Sequence, residues 1–324
     1  MQQHRKDKHG SSAPRFGGYS FTDIEDFLDH CKPADVHKYI SDHLQSDESY
    51  RDECSSVVEH LYNFFKRNSG FTVNRFIKGG SLGKGTAIKS KSDVDLVMFI
   101  SELPPIDSYD YSRQLRKQLD ELESTLQRSK WSIAYDLKVV GRTGHAVKLR
   151  VQTKKADQEP HDVDLLLASD LLGPSPTNSK KAEVYDKMGT MDARSRENCS
   201  AALVELQRDF VKKQSAEVKA VIRLLKIWNL TSYPLELLCI HIWRSHMTVA
   251  SAFEAVLRKL SDYSSINACW TENYSYSRVL QMASQRPLIL DPANPYNNVA
   301  NRCRDWDAVA RAARETLKKP FFSR

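Results

Sequence analysis

The sequence predicts an α+β fold, with strands set among helices in the first half of the chain and helices from there to its end. The first observation is the apolar segment VDLVMFI at 94–100, which reads as a strand. The second is a pair of alternating segments, 131–140 and 145–152, which flank a glycine-containing turn and predict a β-hairpin. The third is the segment 205–229, where apolar residues recur at helical spacing.

Composition divides the chain into three predicted parts. Residues 1–32 start with basic residues, Gly, Ser and Pro, which predicts a disordered or weakly ordered extension. Residues 33–172 hold the predicted strands and residues 173–324 the later helices. The run GPSPTNSKK at their junction has the composition of a linker.

The 324 residues are 40% hydrophobic and 27% charged, which is ordinary for a globular protein. No apolar run approaches the roughly 18 residues needed to span a bilayer, and the first residues lack the apolar centre of a signal peptide. We therefore expect a cytoplasmic protein with no membrane segment. Six cysteines without metal or disulfide spacing favour reduced thiols. The net charge of +7 favours a polyanionic partner, although basicity alone is a weak signal.

Three segments of the first half carry apolar stripes at helical spacing, at 36–44, 49–68 and 111–129. They are predicted to form helices that build a scaffold around the strand at 94–100. The stripes consist of Val36, Tyr39, Ile40 and Leu44; Cys54, Val57, Val58, Leu61 and Phe65; and Leu115, Leu119, Leu122 and Leu126.

A glycine-rich stretch, IKGGSLGKGTA at 77–87, precedes this strand. Its glycines let the backbone approach an anion closely, while Ser81, Lys84 and Thr86 offer a hydroxyl, a charge and a helix-opening cap. A triphosphate is the natural ligand of such a stretch. The spacing fits neither a P-loop, since Gly85 follows Lys84, nor the GxGxxG loop of dinucleotide-binding folds.

Two carboxylates, Asp93 and Asp95, lie at the head of the strand and project from one face, because strand side chains alternate. Held together they repel each other unless a divalent cation lies between them. Mg²⁺ takes oxygen ligands and keeps coordination positions for substrate phosphates. The pair therefore predicts a metal site.

A further acidic strand is predicted in HDVDLLLASDLLG, where Asp162 and Asp164 face away from the apolar Val163 and Leu165. Phosphoryl transfer with two metal ions uses a third carboxylate to hold the second cation and help deprotonate the attacking hydroxyl. Asp164 is the predicted third ligand and Asp162 the alternative. The third interpretation is that neither Asp162 nor Asp164 binds a metal ion.

The helix predicted within 205–229 buries an apolar stripe and gathers Lys219, Arg223 and Lys226 on another face. A basic helix face is more often solvated than functional. The neighbouring nucleotide site is the reason to consider a role in binding.

Gly-Gly-Ser followed by Ser-Asp-Val-Asp-Leu at the head of a strand is the pattern of the polymerase β-like nucleotidyltransferases. Within that superfamily the sequence resembles the 2'-5'-oligoadenylate synthetases, which are related to cyclic GMP-AMP synthase, over residues 35–322. The segments that carry the resemblance are IKGGSLGKGTAIKSKSDVDLVMFI, VDLLLASDLLG, ELQRDFVKK, VIRLLKIW, SYPLELLCIHIW and RPLILDPANPYNNV.

The resemblance implies a catalytic lobe with a mixed sheet, a helical C-terminal lobe, ATP as substrate and double-stranded RNA as activator in antiviral innate immunity. By position, the metal triad for two Mg²⁺ ions, or Mn²⁺ in their place, is Asp93, Asp95 and Asp164. The nucleotide-binding residues are Gly80, Ser81, Lys84, Lys226, Ser232 and the stacking aromatic Tyr233. The residues expected to face RNA are Lys66, Lys78, Arg208 and Lys212.

Two other functions stay open. A Ser232-Tyr233 pair after a short connection also resembles the enzymes that form cyclic dinucleotides. A catalytically silent RNA sensor is the second alternative, although such proteins usually lose the metal carboxylates. The C-terminal KKPFFSR lacks a Cys-Phe oligomerisation signal, which favours a monomer.

Overall fold

The structure is a computed structural model that describes residues 27–68, 70–89, 94–129, 136–152, 160–228 and 232–323. In the first half, the helices are α1 (Val36–Tyr39, continued by a π-helical turn over Ile40–Leu44), α2 (Glu48–Asn68), α3 (Gly80–Lys84) and α4 (Tyr111–Arg128). The strands there are β1 (Val73–Lys78), β2 (Val94–Ile100), β3 (Asp136–Arg142), β4 (Ala146–Gln152) and β5 (His161–Ala168).

The second half is mainly helical, as predicted. Its helices are α5 (Asn178–Thr190), α6 (Ala193–Ala202), α7 (Val204–Lys212), α8 (Ala216–Ile227), α9 (Ser232–Ile242), α10 (Val249–Ser261), α11 (Tyr276–Val279) and α12 (Trp306–Thr316). It also contains a three-stranded sheet, which the sequence analysis missed when it predicted helices to the end of the chain. The strands of that sheet are β6 (Asn267–Ala268), β7 (Leu288–Asp291) and β8 (Asn294–Asn298).

The large sheet has the strand order β1-β2-β5-β4-β3. Strands β2 and β5 are parallel, and the other neighbours are antiparallel, so the sheet is mixed as expected. The predicted hairpin is confirmed in β3 and β4, with β3 extending further into the turn than predicted, while residues 131–135 of the first predicted strand lie outside the described part. Because β5 pairs with β2, the chain brings two acidic strands that are distant in sequence side by side.

The apolar residues of β2 and β5 form the core of the sheet. Their inward side chains are at most 2% exposed, and they pack with the apolar stripes of α2 and α4. The inward residues are Val94, Leu96, Met98 and Ile100 on β2 and Val163, Leu165 and Leu167 on β5. This packing fixes which way the alternating aspartates point, since the period of a strand is two residues.

A second core lies among the helices α7 to α10 and α12. Phe27 and Leu28, which belong to the predicted N-terminal extension, are buried in it together with α1. Helix α5 begins at Asn178, inside the predicted linker GPSPTNSKK, so the linker prediction is wrong for residues 178–181. Helices α5 and α6 contribute to the core of the large sheet. Residues 1–26 of the predicted N-terminal extension lie outside the described part of the chain, and the domain boundaries at residues 32 and 172 stay a prediction.

None of the helices in the described ranges is long and apolar enough to cross a membrane.

Candidate active site

The glycine-rich stretch folds as a short helix, α3, lying directly on the acidic strand. The Gly79 N–H donates to the carbonyl oxygen of Asp95 at 2.8 Å. Gly80 has φ +54°, and a Cβ built there would stand 1.8 Å from Oδ2 of Asp95. Glycine is required at position 80 for two reasons. The backbone there is left-handed, and the Asp95 carboxylate occupies the space that a Cβ would need.

Replacing Gly80 with alanine is expected to lower turnover at least about 100-fold, because the methyl group displaces the Asp95 carboxylate, and a misplacement of about 1 Å costs on the order of 100-fold. The left-handed backbone adds an unfolding penalty of about 1–2 kcal/mol. Assays of catalytic turnover and of urea unfolding measure the two effects. Gly144→Ala is the matched control, since nothing lies within 4 Å of the added methyl. Wild-type turnover in the Gly80 variant would contradict this placement.

Asp95 and Asp164 lie beside each other in register on the parallel strands β2 and β5. Neighbouring strands are about 4.8 Å apart, so both carboxylates leave the same face within reach of one ion. The Lys148 ammonium donates to Oδ2 of Asp164 at 3.2 Å, from an exposed position on β4. The pairing of these two predicted ligands is a structural fact, and their role as ligands stays a prediction.

Asp162, the alternative third ligand, is held differently. The Arg150 guanidinium donates to both of its carboxylate oxygens, at 2.8 and 3.2 Å. A bidentate arginine occupies the directions in which a metal would approach. The geometry therefore favours Asp164, as the sequence analysis chose.

Asp93 falls on residues 90–93, outside the described part of the chain. The described ranges hold no cluster of three or more His, Cys, Asp or Glu side chains suited to a metal ion. What they do provide, Asp95 and Asp164, is a pair of hard oxygen ligands with α3 packed against one of them. This donor set fits Mg²⁺.

Two lysines converge on one buried carboxylate beside α3. Lys84 and Lys226 each place their ammonium nitrogen 2.9 Å from Glu236, and the Thr86 hydroxyl donates to the same carboxylate at 3.0 Å. The side chains of Lys84, Lys226 and Glu236 are 11%, 9% and 1% exposed. Thr86 was expected to open a helix, which is wrong, because the helix begins at Gly80 and residues 86–89 are not helical.

Burial and the neighbouring charges in this cluster shift the pKa values of Glu236 and Lys226. Burial opposes ionisation of Glu236, but the two ammonium groups dominate and lower the pKa of its carboxyl to about 2. Burial lowers the pKa of Lys226, against the opposing pull of Glu236. Each buried charge of the cluster lies in hydrogen-bond contact with an opposite charge, which offsets the cost of burying it.

Glu236 was not among the predicted site residues. The signal available in the sequence was a single acid within the apolar run PLELLCI, which needs a buried partner once the helix packs. The basic face of α8 was weighed as more often solvated, and that interpretation is wrong for two of its members. Lys226 is buried, and the Arg223 guanidinium donates to the carbonyl oxygens of Gly85 and Ala87 at 2.7 and 3.2 Å.

Tyr233, the predicted stacking aromatic, is 8% exposed on α9. The Lys84 ammonium lies 4.0 Å from the centre of its ring, and its hydroxyl donates to Oδ1 of Asp291 at 3.1 Å. Ser81 lies within α3, one residue after Gly80. Ser232 begins α9, and its side chain lies outside the described part. The structure thus gathers Gly80, Lys84, Lys226 and Tyr233 around α3.

The residues expected to face RNA lie on α2, β1 and α7. Lys66 and Lys212 are exposed. The Lys78 ammonium donates to the Ser55 hydroxyl at 3.0 Å, and burial, together with the nearby Lys212 charge, lowers its pKa. Arg208 is partly buried against α3 and donates to Glu205 and Asp209 at 3.3 and 2.7 Å. Lys78, Arg208 and Lys212 therefore form a basic patch beside the glycine helix.

Comparison with known proteins agrees with these features. The family model described as 2'-5'-oligoadenylate synthetase 1, domain 2, C-terminus matches residues 178–324. The 2'-5'-oligoadenylate synthase 2 of Rattus norvegicus is 28% identical over 333 residues, covering 90% of this chain and 44% of that protein. The synthase 1A of Rattus norvegicus is also 28% identical, covering 88% of this chain and 89% of that protein. The chain thus spans less than half of the first relative.

Among solved structures, CdnC of E. coli MS115-1 in its complex with ATP superposes with a TM-score of 0.61 at 20% identity, covering 91% of this chain and 98% of CdnC. A likeness at this identity shows the fold alone. The predicted α+β fold class is confirmed, and so is the resemblance to 2'-5'-oligoadenylate synthetases that the sequence motifs indicated.

Proposed function

We propose, from the similarity of nearly the whole chain to 2'-5'-oligoadenylate synthases, that this nucleotidyltransferase joins ATP units through 2'-5' bonds. The observation that carries the proposal is the register pair Asp95 and Asp164 under the glycine helix. In the reaction, the 2'-hydroxyl of one nucleotide attacks the α-phosphate of another. A phosphodiester forms, pyrophosphate leaves, and the hydroxyl proton passes to a carboxylate or to solvent.

Divalent ions fit the carboxylate pair. Asp95 and Asp164, with Asp93 as the third predicted ligand, would hold two Mg²⁺ ions, or Mn²⁺ in their place. When bound, such ions activate the attacking hydroxyl and neutralise charge on the transferred phosphate. The carboxylates themselves fix that position on the rigid sheet, since the residues on either side of each aspartate are buried in the core.

Lys84 and Lys226 suit the triphosphate, because both ammonium groups are already directed at a single anion, Glu236. A triphosphate presents the same kind of charged oxygen to them. Ser81 adds a hydroxyl from the same short helix, and Tyr233, which is 8% exposed beside the Lys84 ammonium, is the aromatic ring that we propose for the adenine base. Together these side chains bind and orient the donor nucleotide for in-line attack.

Double-stranded RNA is the proposed activator, acting in the cytoplasm as part of innate antiviral signalling. The patch of Lys78, Arg208 and Lys212, with Lys66 on α2, supplies the positive charge that a phosphate backbone requires. Recognition is by shape, because the wide minor groove of A-form RNA shows phosphates and 2'-hydroxyls more readily than base sequence. A monomer as the active unit stays a prediction.

Reversing charge on this patch, in Lys212→Glu and in Arg208→Glu with Lys212→Glu, is expected to raise the dissociation constant for double-stranded RNA about tenfold or more, because each lost phosphate contact weakens binding. The loss should be alike for all duplex sequences, and the salt dependence should become shallower. Fluorescence anisotropy with labelled duplexes at several salt concentrations measures it. Lys318→Glu, at another exposed position, is the control. Unchanged RNA affinity in both patch variants would exclude this surface.

The identity of the reaction product distinguishes the proposed function from its two alternatives. The protein is incubated with ATP, Mg²⁺ and double-stranded RNA, and the product is treated with phosphatase and then with a 3'-5'-specific nuclease. A linear 2'-5' oligoadenylate loses its terminal phosphates and resists the nuclease, as expected here. A phosphatase-resistant dinucleotide that forms only with a second nucleotide would establish the cyclic alternative that Ser232-Tyr233 keeps open. No product in any mixture would favour a silent RNA sensor.

A further inference from the structure

Asp291, the last residue of β7, is a buried carboxylate that lies outside the predicted site and yet contacts it. It is 0% exposed. In the described part of the chain, four neutral groups donate to its carboxylate: the Tyr233 hydroxyl at 3.1 Å, the Ala293 N–H at 2.9 Å, and the side-chain amides of Gln207 at 2.7 Å and Asn297 at 3.2 Å.

The cost of burying this carboxylate indicates a specific role. Burial raises the pKa of Asp291, and the donors and the charge of Arg302 oppose that rise. An asparagine or serine could accept from one or two of these donors without the cost of a buried charge. A carboxylate has acceptor positions for all of them at once. The Asp291 carboxylate therefore holds α7, α9 and the turn from β7 to β8 in one fixed arrangement.

The elements joined by Asp291 belong to the proposed nucleotide site and to the proposed RNA-binding surface. Tyr233 lies on α9, with its ring 4.0 Å from the Lys84 ammonium. Gln207 lies on α7, next to Arg208 in the basic patch, and its amide points inward to Oδ2 of Asp291. The turn from β7 to β8 contributes the other two donors. A single carboxylate thus connects the nucleotide side of the site with the helix proposed to meet RNA.

We propose that Asp291 is a positioning residue, which fixes the ring of Tyr233 for the nucleobase and ties that orientation to α7 through Gln207. This inference rests on the proposed function, since it takes ATP as the ligand. Packing in the helical core leaves Tyr233 8% exposed, and the bond from its hydroxyl to Asp291 further fixes the rotation of the ring about its side-chain torsions. Asp291 touches neither substrate nor metal in this assignment.

Tyr233→Phe isolates the anchor, because it keeps the ring and removes only the hydroxyl. We expect the dissociation constant for ATP, measured by calorimetry, to rise several-fold, about 2- to 10-fold, because a ring without its anchor must be ordered again when the base binds. Tyr274→Phe is the matched control. Its hydroxyl donates to the main-chain oxygen of the same Asp291 at 2.7 Å from a site 5% exposed, so it loses an equally buried bond. We expect its ATP affinity to match wild type.

The link to α7 is tested by a double-mutant cycle. Gln207→Leu should weaken ATP binding several-fold without changing RNA affinity, because its amide faces Asp291. Gln207→Leu with Tyr233→Phe should bind ATP no more weakly than Tyr233→Phe alone, since both act through one carboxylate. Additive losses would overturn the link.

Equal ATP affinity in Tyr233→Phe, Tyr274→Phe and wild type would overturn the positioning role, and so would failure of wild type to bind ATP. ATP binding with the expected pattern but without any 2'-5' product would overturn the proposed function alone.

Discussion

Asp164→Asn and Asp95→Asn are each expected to abolish ATP turnover, with a loss of at least about 1,000-fold, while the protein stays folded. The amide keeps the size of the side chain and removes the negative charge that holds a divalent ion. The two carboxylates lie side by side in register on β2 and β5. Both would hold the same ion, so removing either charge is expected to weaken its binding. Conversion of radiolabelled ATP in the presence of Mg²⁺ and double-stranded RNA measures the loss, and circular dichroism checks the fold.

Asp162→Asn is the matched control for this experiment. Asp162 lies two residues earlier on the same strand and on the same face, but the Arg150 guanidinium holds both of its oxygens. We expect it to retain most of the activity. Loss of turnover in Asp162→Asn together with retention in Asp164→Asn would transfer the third ligand to Asp162.

Local patterns were sufficient where one strand or helix determined the outcome. The alternation in HDVDLLLA placed Asp164 on the face opposite Val163 and Leu165, and the structure confirms this placement. The leucines of α4 were predicted as a buried stripe for the same reason. In both cases the apolar period fixes which residues enter the core.

Contacts between distant segments were beyond the reach of the sequence. Lys84 and Glu236 are 152 residues apart, and nothing in either segment states which acid a buried lysine will meet. The sheet of β6, β7 and β8 was missed because its first strand has two residues and its second has four. Strands this short offer too few positions for a period to show.

The lysine cluster also bears on how the site prepares for its substrate. Two ammonium groups buried without an anion would repel each other and resist desolvation. Glu236 removes that cost and keeps both groups beside α3, where Gly85 and Ala87 are held in turn by Arg223. In the proposed nucleotide site, the two lysines would therefore already lie together before any nucleotide binds, and binding would not have to bring them together.

Glu236→Gln is expected to lower the free energy of unfolding by about 3–5 kcal/mol at pH 7, because it keeps the shape and leaves two buried ammonium groups without an anion. Urea unfolding measures the loss. The pKa of Glu236 is lowered in the fold from 4.5 to about 2. Its stabilisation is therefore complete above pH 4.5 and is lost as the pH falls toward 2, so the difference between wild type and variant should shrink over that range.

The same variant tests whether Lys84 and Lys226 bind the triphosphate. Inorganic tripolyphosphate should raise the melting temperature of Glu236→Gln more than that of wild type, because the added anion replaces the missing carboxylate. Glu315→Gln is the matched control, since it breaks an ion pair to Lys318 whose members are about 70% exposed, which is expected to cost less than about 1 kcal/mol. An equal shift in all three proteins would show that the two lysines are structural and would remove them from the nucleotide site.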